Sequence, residues 1–171
     1  MPYRQLSETD IPENHPVALF GHYWNSRKRD AGALPLRSDF GPSSIPDLVP
    51  WLLLLEPLQL DGRTEFRYRL AGTGCREIFG VDYTGKLLGE ALTSEGAEIR
   101  RAEFLQVMAG GEPIYSWTEV PIQGRDFIYI YRGVFPVTAA GGEADRIFVV
   151  AAHEAQRRKV SPPIAPLPLR A

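Results

Sequence analysis

The sequence predicts an α+β fold: a five-stranded antiparallel sheet with flanking helices and an N-terminal helical extension. Three observations predict it. Residues 66–70 alternate apolar side chains with arginines, which is the two-residue period of a half-buried strand. Residues 93–109 carry apolar side chains at helical spacing and are followed by a Gly-Gly pair. Glycine-containing turns separate the remaining strand-like segments, which favours antiparallel neighbours.

The N-terminal region begins with polar residues 1–14, which we expect to be flexible. Pro16 is suited to the first turn of a helix that runs to about Asp30. One broad face of this helix is apolar and must be covered. Two partners are open: the sheet of the same chain, or the same helix of a second subunit in a homodimer. The candidate interface residues are Val17, Phe20, Tyr23 and Trp24.

A proline-rich wrap and the first two strands follow this helix. Residues 34–50 predict an ordered but irregular segment, because proline disfavours regular structure. Residues 51–58 contain a run of leucines, which predicts a strand buried on both faces. Asp61-Gly62 is the signature of a tight hairpin turn, so we expect the strand of residues 66–70 to follow as its partner.

Two glycine-rich turns surround a short helix at residues 75–79, which we expect Thr73 to cap and Gly80 to end. Both turns come close to nucleotide-binding motifs. The first has Glu77 at the third glycine of a dinucleotide fingerprint, and no βαβ repeat follows it. The second has the glycine and lysine spacing of a P-loop, but Leu87 replaces the magnesium-binding Ser or Thr. We therefore expect no nucleotide site at either turn.

A longer helix runs from about Thr93 to Ala109. We expect its inner side to carry Ile99, Ala102, Phe104, Leu105 and Met108, and its outer side to carry Arg100, Arg101 and Glu103. Three strands follow, at residues 114–122, 127–137 and 147–154, and turns join them as hairpins. After Arg158 the chain is rich in proline, which predicts a disordered tail.

The order of several short motifs resembles a PAS domain, in particular the small single-domain PAS proteins common in alphaproteobacteria. The motifs are Tyr23-Trp24, residues 34–42, Leu48-Val49-Pro50, residues 66–73, Gly80 and Thr84-Gly85-Lys86. The resemblance covers about residues 15–155 and implies a PAS fold with a signalling or scaffolding role, without identifying a ligand or partner. The expected organisation is a flexible N-terminus (1–14), an N-terminal helix and Pro-rich wrap (15–50), a PAS core (51–155) and a Pro-rich disordered tail (156–171).

Composition and charge argue against several classes of protein. Of 171 residues, 44% are hydrophobic and 23% are charged, as in an ordinary globular domain. The net charge of −2 gives no basis for nucleic-acid binding. The N-terminus lacks a signal-peptide core and the leucine run is too short to span a bilayer, so we expect a cytoplasmic protein without membrane insertion. One cysteine and three scattered histidines form no zinc-binding pattern, so no metal site is assigned.

In a PAS fold the cavity lies between the sheet and the helices that cross it. Nine side chains are candidates to line it: Phe66, Tyr68, Phe79, Phe104, Met108, Tyr115, Trp117, Tyr129 and Tyr131. Such a set either packs a core without a ligand, which the density of protein interiors favours, or surrounds a small-molecule ligand. The cofactor is unknown, and the expectation is that there is none.

Candidate reactive groups are few. Cys75 begins the short helix, where the helix dipole lowers a thiol pKa. The motif of flavin-adduct PAS domains is absent around it, so we expect a packing role. Haem would need an axial histidine, for which His153 is the candidate. The acidic residues, including Glu119, have no recognisable partner base, so no catalytic residue is assigned.

The sequence thus favours a non-enzymatic sensory or regulatory module that acts in bacterial signalling through protein–protein contacts. No kinase, cyclase or DNA-binding region is recognisable, so we expect output through a homodimer and an unidentified signalling protein. A small-molecule-binding sensor with a ligand in the aromatic cavity is the alternative. A small α+β enzyme that uses Glu119 and a tyrosine is the second alternative.

Overall fold

The computed structural model describes residues 3–30, 32–125 and 127–158. In this part of the chain, six strands form one antiparallel sheet in the order β1-β4-β5-β6-β2-β3. The strands are β1 (Tyr3–Leu6), β2 (Leu52–Leu60), β3 (Arg63–Ala71), β4 (Ile114–Glu119), β5 (Tyr129–Val137) and β6 (Arg146–His153). The α-helices of the same part are α1 (Pro16–Arg27), α2 (Thr73–Phe79) and α3 (Ser94–Gly110). The predicted α+β class and element order are confirmed.

The sheet has one strand more than the five that the sequence predicts. The additional strand is β1, which lies in the segment expected to be flexible. It pairs antiparallel with β4, with Tyr3 opposite Thr118 and Leu6 opposite Tyr115. A four-residue segment with two polar central residues shows no clear two-residue period, so pairing with a neighbour, rather than its own pattern, determines its conformation. The predicted strand number is corrected to six.

β2 lies inside the sheet, between β6 and β3. Its first four residues, 52–55, are all leucines and alternate between the two faces, where all four are buried. The turn that joins β2 to β3 has positive φ at both Asp61 (51°) and Gly62 (74°), as a two-residue type I′ hairpin requires. The predictions of a doubly buried strand and a tight hairpin are confirmed.

Helices cover both faces of the sheet. We call the face that packs against α2 and α3 the inner face, and the face that packs against α1 the outer face. Pro16 occupies the first turn of α1, as predicted. The wrap adds Phe40, Ile45 and Leu48 to the outer core. The sheet is therefore the middle layer of three, with a separate apolar core on each side.

The inner side of α3 differs from the prediction. Its buried residues are Gly96, Ala97, Arg100, Glu103, Phe104 and Val107. Arg100 and Glu103 are only 3% and 4% exposed, whereas Leu105 is 42% exposed. The buried positions recur every three or four residues, as one helix face requires, but two of them are charged. The prediction was wrong for Arg100 and Glu103, which it assigned to the outer side, and for Leu105, which it assigned to the inner side; its placement of Phe104 was correct.

The ends of the helices follow ordinary capping rules. Thr93 caps α3 by accepting a hydrogen bond from the Gly96 N–H. α2 begins at Thr73, so Gly72 rather than Thr73 is its N-cap. Gly80 ends α2 in the left-handed conformation, with a φ of 74°, as predicted. None of the helices in the described residues has both the length and the apolar character that a membrane span requires.

Candidate functional site

The space between α3 and the inner face of the sheet is nearly filled. It contains a cavity of about 20 Å³, which is room for about one water molecule. The cavity is lined by Leu53, Tyr68, Phe79, Tyr83, Leu92, Arg100, Phe104, Pro121, Arg132 and Val149. In this conformation the cavity is too small for an organic ligand.

Five of the nine predicted lining residues lie on the inner side of the sheet. They are Phe66, Tyr68, Phe79 and Phe104, which are buried in the inner core, and Met108, which packs at its edge. The rings of Phe66 and Phe104 meet edge to face, with 5.2 Å between centroids. Tyr68 stacks on Tyr83, with 4.7 Å between centroids. Tyr83 also lines the cavity, although it was not among the predicted lining residues.

The other four predicted lining residues lie on the outer side. Tyr115 is buried in the outer core, where its ring meets Phe135. Trp117, Tyr129 and Tyr131 are half-buried on the same face. Successive side chains of a strand point to opposite faces, and aromatic residues occur on both faces of this sheet. Aromatic character alone therefore could not identify the residues of the inner face.

A group of polar side chains, buried except for the half-buried Tyr3, lies beside the cavity. We call Tyr3, Arg100, Glu103 and Arg132 the buried charged centre. Arg132 of β5 donates to one carboxylate oxygen of Glu103 of α3, and the Tyr3 hydroxyl of β1 donates to the other at 2.7 Å. Burial, together with the Glu103 charge, raises the pKa of Tyr3 to about 12, so this hydroxyl stays protonated at neutral pH. The centre thereby connects β1, β5 and α3.

Arg100 belongs to this centre but has no carboxylate of its own. Neither terminal guanidinium nitrogen of Arg100 has a hydrogen-bond partner among the described residues, and the same is true of the Tyr83 hydroxyl. Burial, and then the nearby charge of Arg132, lowers the pKa of Arg100 to about 10, so the group is still charged at neutral pH. The centre therefore holds two positive charges against one negative charge.

The apolar face of α1 packs on the sheet of the same chain. The side chains of Val17, Phe20 and Trp24 are fully buried in the outer core. The Trp24 indole N–H donates to the Pro136 carbonyl at 2.9 Å. Tyr23 is half-buried, and its hydroxyl donates to the Asp39 carbonyl at 2.6 Å. Val17, Phe20 and Trp24 therefore pack on the sheet of their own chain, which is one of the two predicted partners for α1.

None of the three histidines, all of which lie in the described residues, lines the inner cavity. His15 is fully buried, its Nδ1 accepts from the Val17 N–H at 3.1 Å, and its Nε2–H donates to the His153 carbonyl at 2.9 Å. This neutral tautomer caps α1, and burial lowers the pKa of His15 to about 4. The side chains of His22 and His153 are exposed. Within the described ranges, no group of three or more His, Cys, Asp or Glu side chains could hold a metal ion.

Cys75 is a packing residue of the inner core. Its side chain is fully buried, and the thiol lies 3.8 Å from the Ala151 carbonyl oxygen that it faces. Burial raises the pKa of the thiol to about 12, which outweighs any effect of the helix start. The group is therefore protonated and unreactive at neutral pH.

The first glycine-rich turn permits a close approach between two parts of the backbone. A Cβ atom on Gly72 would lie 2.4 Å from the carbonyl oxygens of both Val49 and Pro50. A Cβ atom on Gly74 would lie 2.5 Å from the Trp51 ring. These glycines let α2 pack against the residues that lead into β2, so the resemblance to a dinucleotide fingerprint has a structural cause.

A second cluster of aromatic and charged side chains lies on the outer face. We call Arg4, Trp117, Tyr129 and Glu154 the outer aromatic patch. The rings of Trp117 and Tyr129 stack nearly in parallel, at an angle of 3° and a centroid distance of 4.8 Å. The Arg4 guanidinium lies 5.5 Å from the centroid of the Trp117 ring, and the Trp117 indole N–H donates to the Glu154 carboxylate at 2.9 Å. Both charged residues are exposed and both rings are half-buried.

Comparison with known proteins agrees with this architecture. The family model described as a PAS domain matches residues 13–152, which include all three helices and every strand from β2 to β6 apart from the last residue of β6. A search of curated proteins found no match. An antiparallel sheet with helices on its inner face and a small cavity between them is consistent with a PAS fold. The chain therefore belongs to the PAS domain family, whose members are sensory and signalling modules.

Proposed function

We propose that this chain is a non-enzymatic regulatory module that acts in signalling through protein–protein contacts, the first of which is with a second copy of itself. Its membership of the PAS family supports a signalling role in general. The proposal of a protein contact rests on the outer aromatic patch, which has two stacked rings at the surface between an arginine and a glutamate.

The patch has the composition of a protein contact surface. Tryptophan, tyrosine and arginine dominate the binding energy of many interfaces. The two aromatic residues bury a large area with few rotatable bonds, and arginine adds a charge that can donate several hydrogen bonds. The stacking of Trp117 on Tyr129 fixes both rings in advance, which lowers the entropy cost of association. The patch lies on the outer face, where α1 packs mainly on β5 and β6. It is therefore a surface that the chain itself leaves partly uncovered.

The charges of the patch favour a second copy as the partner. A two-fold symmetric dimer brings the same surface of both subunits together, so each contact occurs twice. Arg4 and Glu154 lie on either side of Trp117 and carry opposite charges. Two patches that meet face to face can therefore place the Arg4 of each subunit near the Glu154 of the other.

Sedimentation velocity over a concentration series tests this proposal. We expect the wild-type protein to dimerise and Trp117→Ser to weaken the dimer at least about tenfold, because the ring supplies much of the apolar area. Leu105→Ser is the matched control, since Leu105 is an exposed apolar residue of α3 on the other side of the sheet. It should dimerise like the wild type. A wild-type protein that stays monomeric, or equal dimerisation of both variants, would contradict the proposal.

The two alternatives have less support. A sensor with an organic ligand in the aromatic cavity needs more room than the cavity of about 20 Å³ provides. An enzyme that uses Glu119 and a tyrosine would place its chemistry on the outer face, where Glu119 lies opposite Tyr129 in the pairing of β4 with β5. Glu119 is half-buried and lines a surface depression together with Glu95, and no tyrosine is among the described residues that line it.

A further inference from the structure

The polar part of the inner cavity is positively charged. Arg100, Arg132, Tyr68 and Tyr83 all line it. Arg132 is paired with Glu103, but both terminal nitrogens of Arg100 and the Tyr83 hydroxyl have no hydrogen-bond partner in residues 3–30, 32–125 and 127–158. A guanidinium can only donate, so two buried donor atoms of Arg100 lack an acceptor, which is unusual in a protein interior.

The charge at this position also needs compensation. A guanidinium that is only 3% exposed costs considerable free energy unless an acceptor lies beside it, and a negative charge lowers that cost most. Glu103 is the one carboxylate of the buried charged centre, and its two oxygens already accept from Arg132 and Tyr3. A water molecule could accept from Arg100 but would leave the second positive charge uncompensated. An anion would supply both an acceptor and a charge.

We infer that this cavity is a binding site for a small monovalent anion of halide size, held by the guanidinium of Arg100 and the hydroxyl of Tyr83. Its volume of about 20 Å³ limits the occupant to a single atom or a very small group. Phe79 and Phe104 form part of the wall, and apolar walls strengthen the attraction between the buried charges. The carboxylate of an organic acid has the same charge but needs a larger cavity.

The anion would have a structural consequence for the module. It would connect Arg100 of α3 with Tyr83, which lies between α2 and α3, beside the Arg132 of β5. A ligand that binds only the folded state stabilises it by mass action, so the stability of the inner core would follow the anion concentration. This inference does not depend on the outer aromatic patch, which lies on the opposite face.

Crystals of the wild-type protein grown with sodium bromide test the site directly. We expect an anomalous bromide peak in the cavity, within hydrogen-bonding distance of a terminal nitrogen of Arg100 and of the Tyr83 hydroxyl. An ordered water at this position without anomalous signal would overturn the inference. This measurement needs no variant, so it stands even if substitutions in the core prevent folding.

Thermal unfolding at constant ionic strength tests the same site in solution. When gluconate is replaced by about 150 mM bromide, we expect the Tm of the wild-type protein to rise by about 4 °C. Arg100→Met should lose this dependence. Arg101→Met removes the same charge from the next position, where Arg101 pairs with Glu65 at 2.9 Å, and should keep it. A wild-type Tm that does not respond to bromide would overturn the inference, and a larger response to formate would overturn its size limit.

Discussion

Arg132 of β5 donates a hydrogen bond to the carboxylate of Glu103 of α3 inside the inner core, and both side chains are almost completely buried. The pair joins α3 to the sheet beside an inner core whose other buried side chains are mostly apolar. Both members of the pair are needed, because each charge is costly to bury alone and the two charges largely compensate each other.

Removing one member of this pair should destabilise the protein strongly. Glu103→Ala leaves two buried guanidiniums without a carboxylate, so we expect the free energy of unfolding to fall by about 3–5 kcal/mol in urea titrations. Glu98→Ala, also on α3, removes a surface partner of Arg63 and should cost less than about 1 kcal/mol. Similar losses of unfolding free energy in both variants would show that the buried pair stabilises the protein no more than a surface pair does.

Gly72 should not tolerate a side chain. Gly72→Ala places a Cβ atom against two backbone carbonyl oxygens, so we expect a loss of about 2–3 kcal/mol in the free energy of unfolding. Gly110→Ala is the control, because a Cβ atom there meets nothing within 4 Å and the residue is helical. That variant should be as stable as the wild type or more stable, by up to about 1 kcal/mol. If Gly72→Ala left the free energy of unfolding unchanged, the explanation of this turn by a close approach of two backbone segments would be refuted.

The buried His15 should make the protein sensitive to acid. Its folded-state pKa of about 4 lies below the ordinary value of 6.5, so between these values the unfolded chain binds a proton that the folded chain does not. The contribution of neutral His15 is therefore complete above pH 6.5 and is lost as the pH falls toward 4, by up to about 3 kcal/mol.

Unfolding of wild type and His15→Asn between pH 7.5 and pH 4 checks this expectation. Asparagine retains an acceptor that can cap α1 but does not titrate in this range. The stability advantage of the wild type should shrink as the pH falls, because the other groups titrate alike in both proteins. Parallel stability curves would contradict the assignment of a neutral, buried His15.

Cys75 should react with a thiol reagent only when the protein unfolds. Its burial and raised pKa both oppose formation of the thiolate in the folded state. We expect the labelling rate of the native protein to be at least about 100-fold lower than that of a Cys75→Ala, Ser43→Cys variant, whose thiol lies at an exposed position. Equal rates would mean that the inner core opens readily.

The sequence predicted most of the fold because its local signals agree with one another. The doubly buried leucines of β2, the Asp61-Gly62 turn and the left-handed Gly80 each match one strong rule of backbone geometry. The strand β1 was missed for the opposite reason. It is short and polar, and it exists through its pairing with β4, which is distant in sequence.

The site was less predictable than the fold, because its most important residues are charged side chains at positions where a pattern of apolar and polar residues predicts apolar ones. Arg100 and Glu103 occupy the buried phase of α3 between Ala97 and Phe104, and the spacing of the apolar residues could have placed them there. Arg132 likewise lies between the buried Ile130 and Val134 on β5. The sequence therefore contained one signal for this site: charged residues at positions where the helix or strand period predicts burial, on two elements that face each other.

The most direct test of the proposed function is an exchange of charges across the dimer. Arg4→Glu and Glu154→Arg should each weaken self-association, because each homodimer then meets like charges twice across its symmetric contact. In an equimolar mixture of the two variants, every such contact again joins opposite charges. Sedimentation velocity should therefore show monomers for each variant alone and a heterodimer for the mixture. A mixture that remains monomeric, or variants that dimerise as well as the wild type, would contradict self-association through the outer aromatic patch.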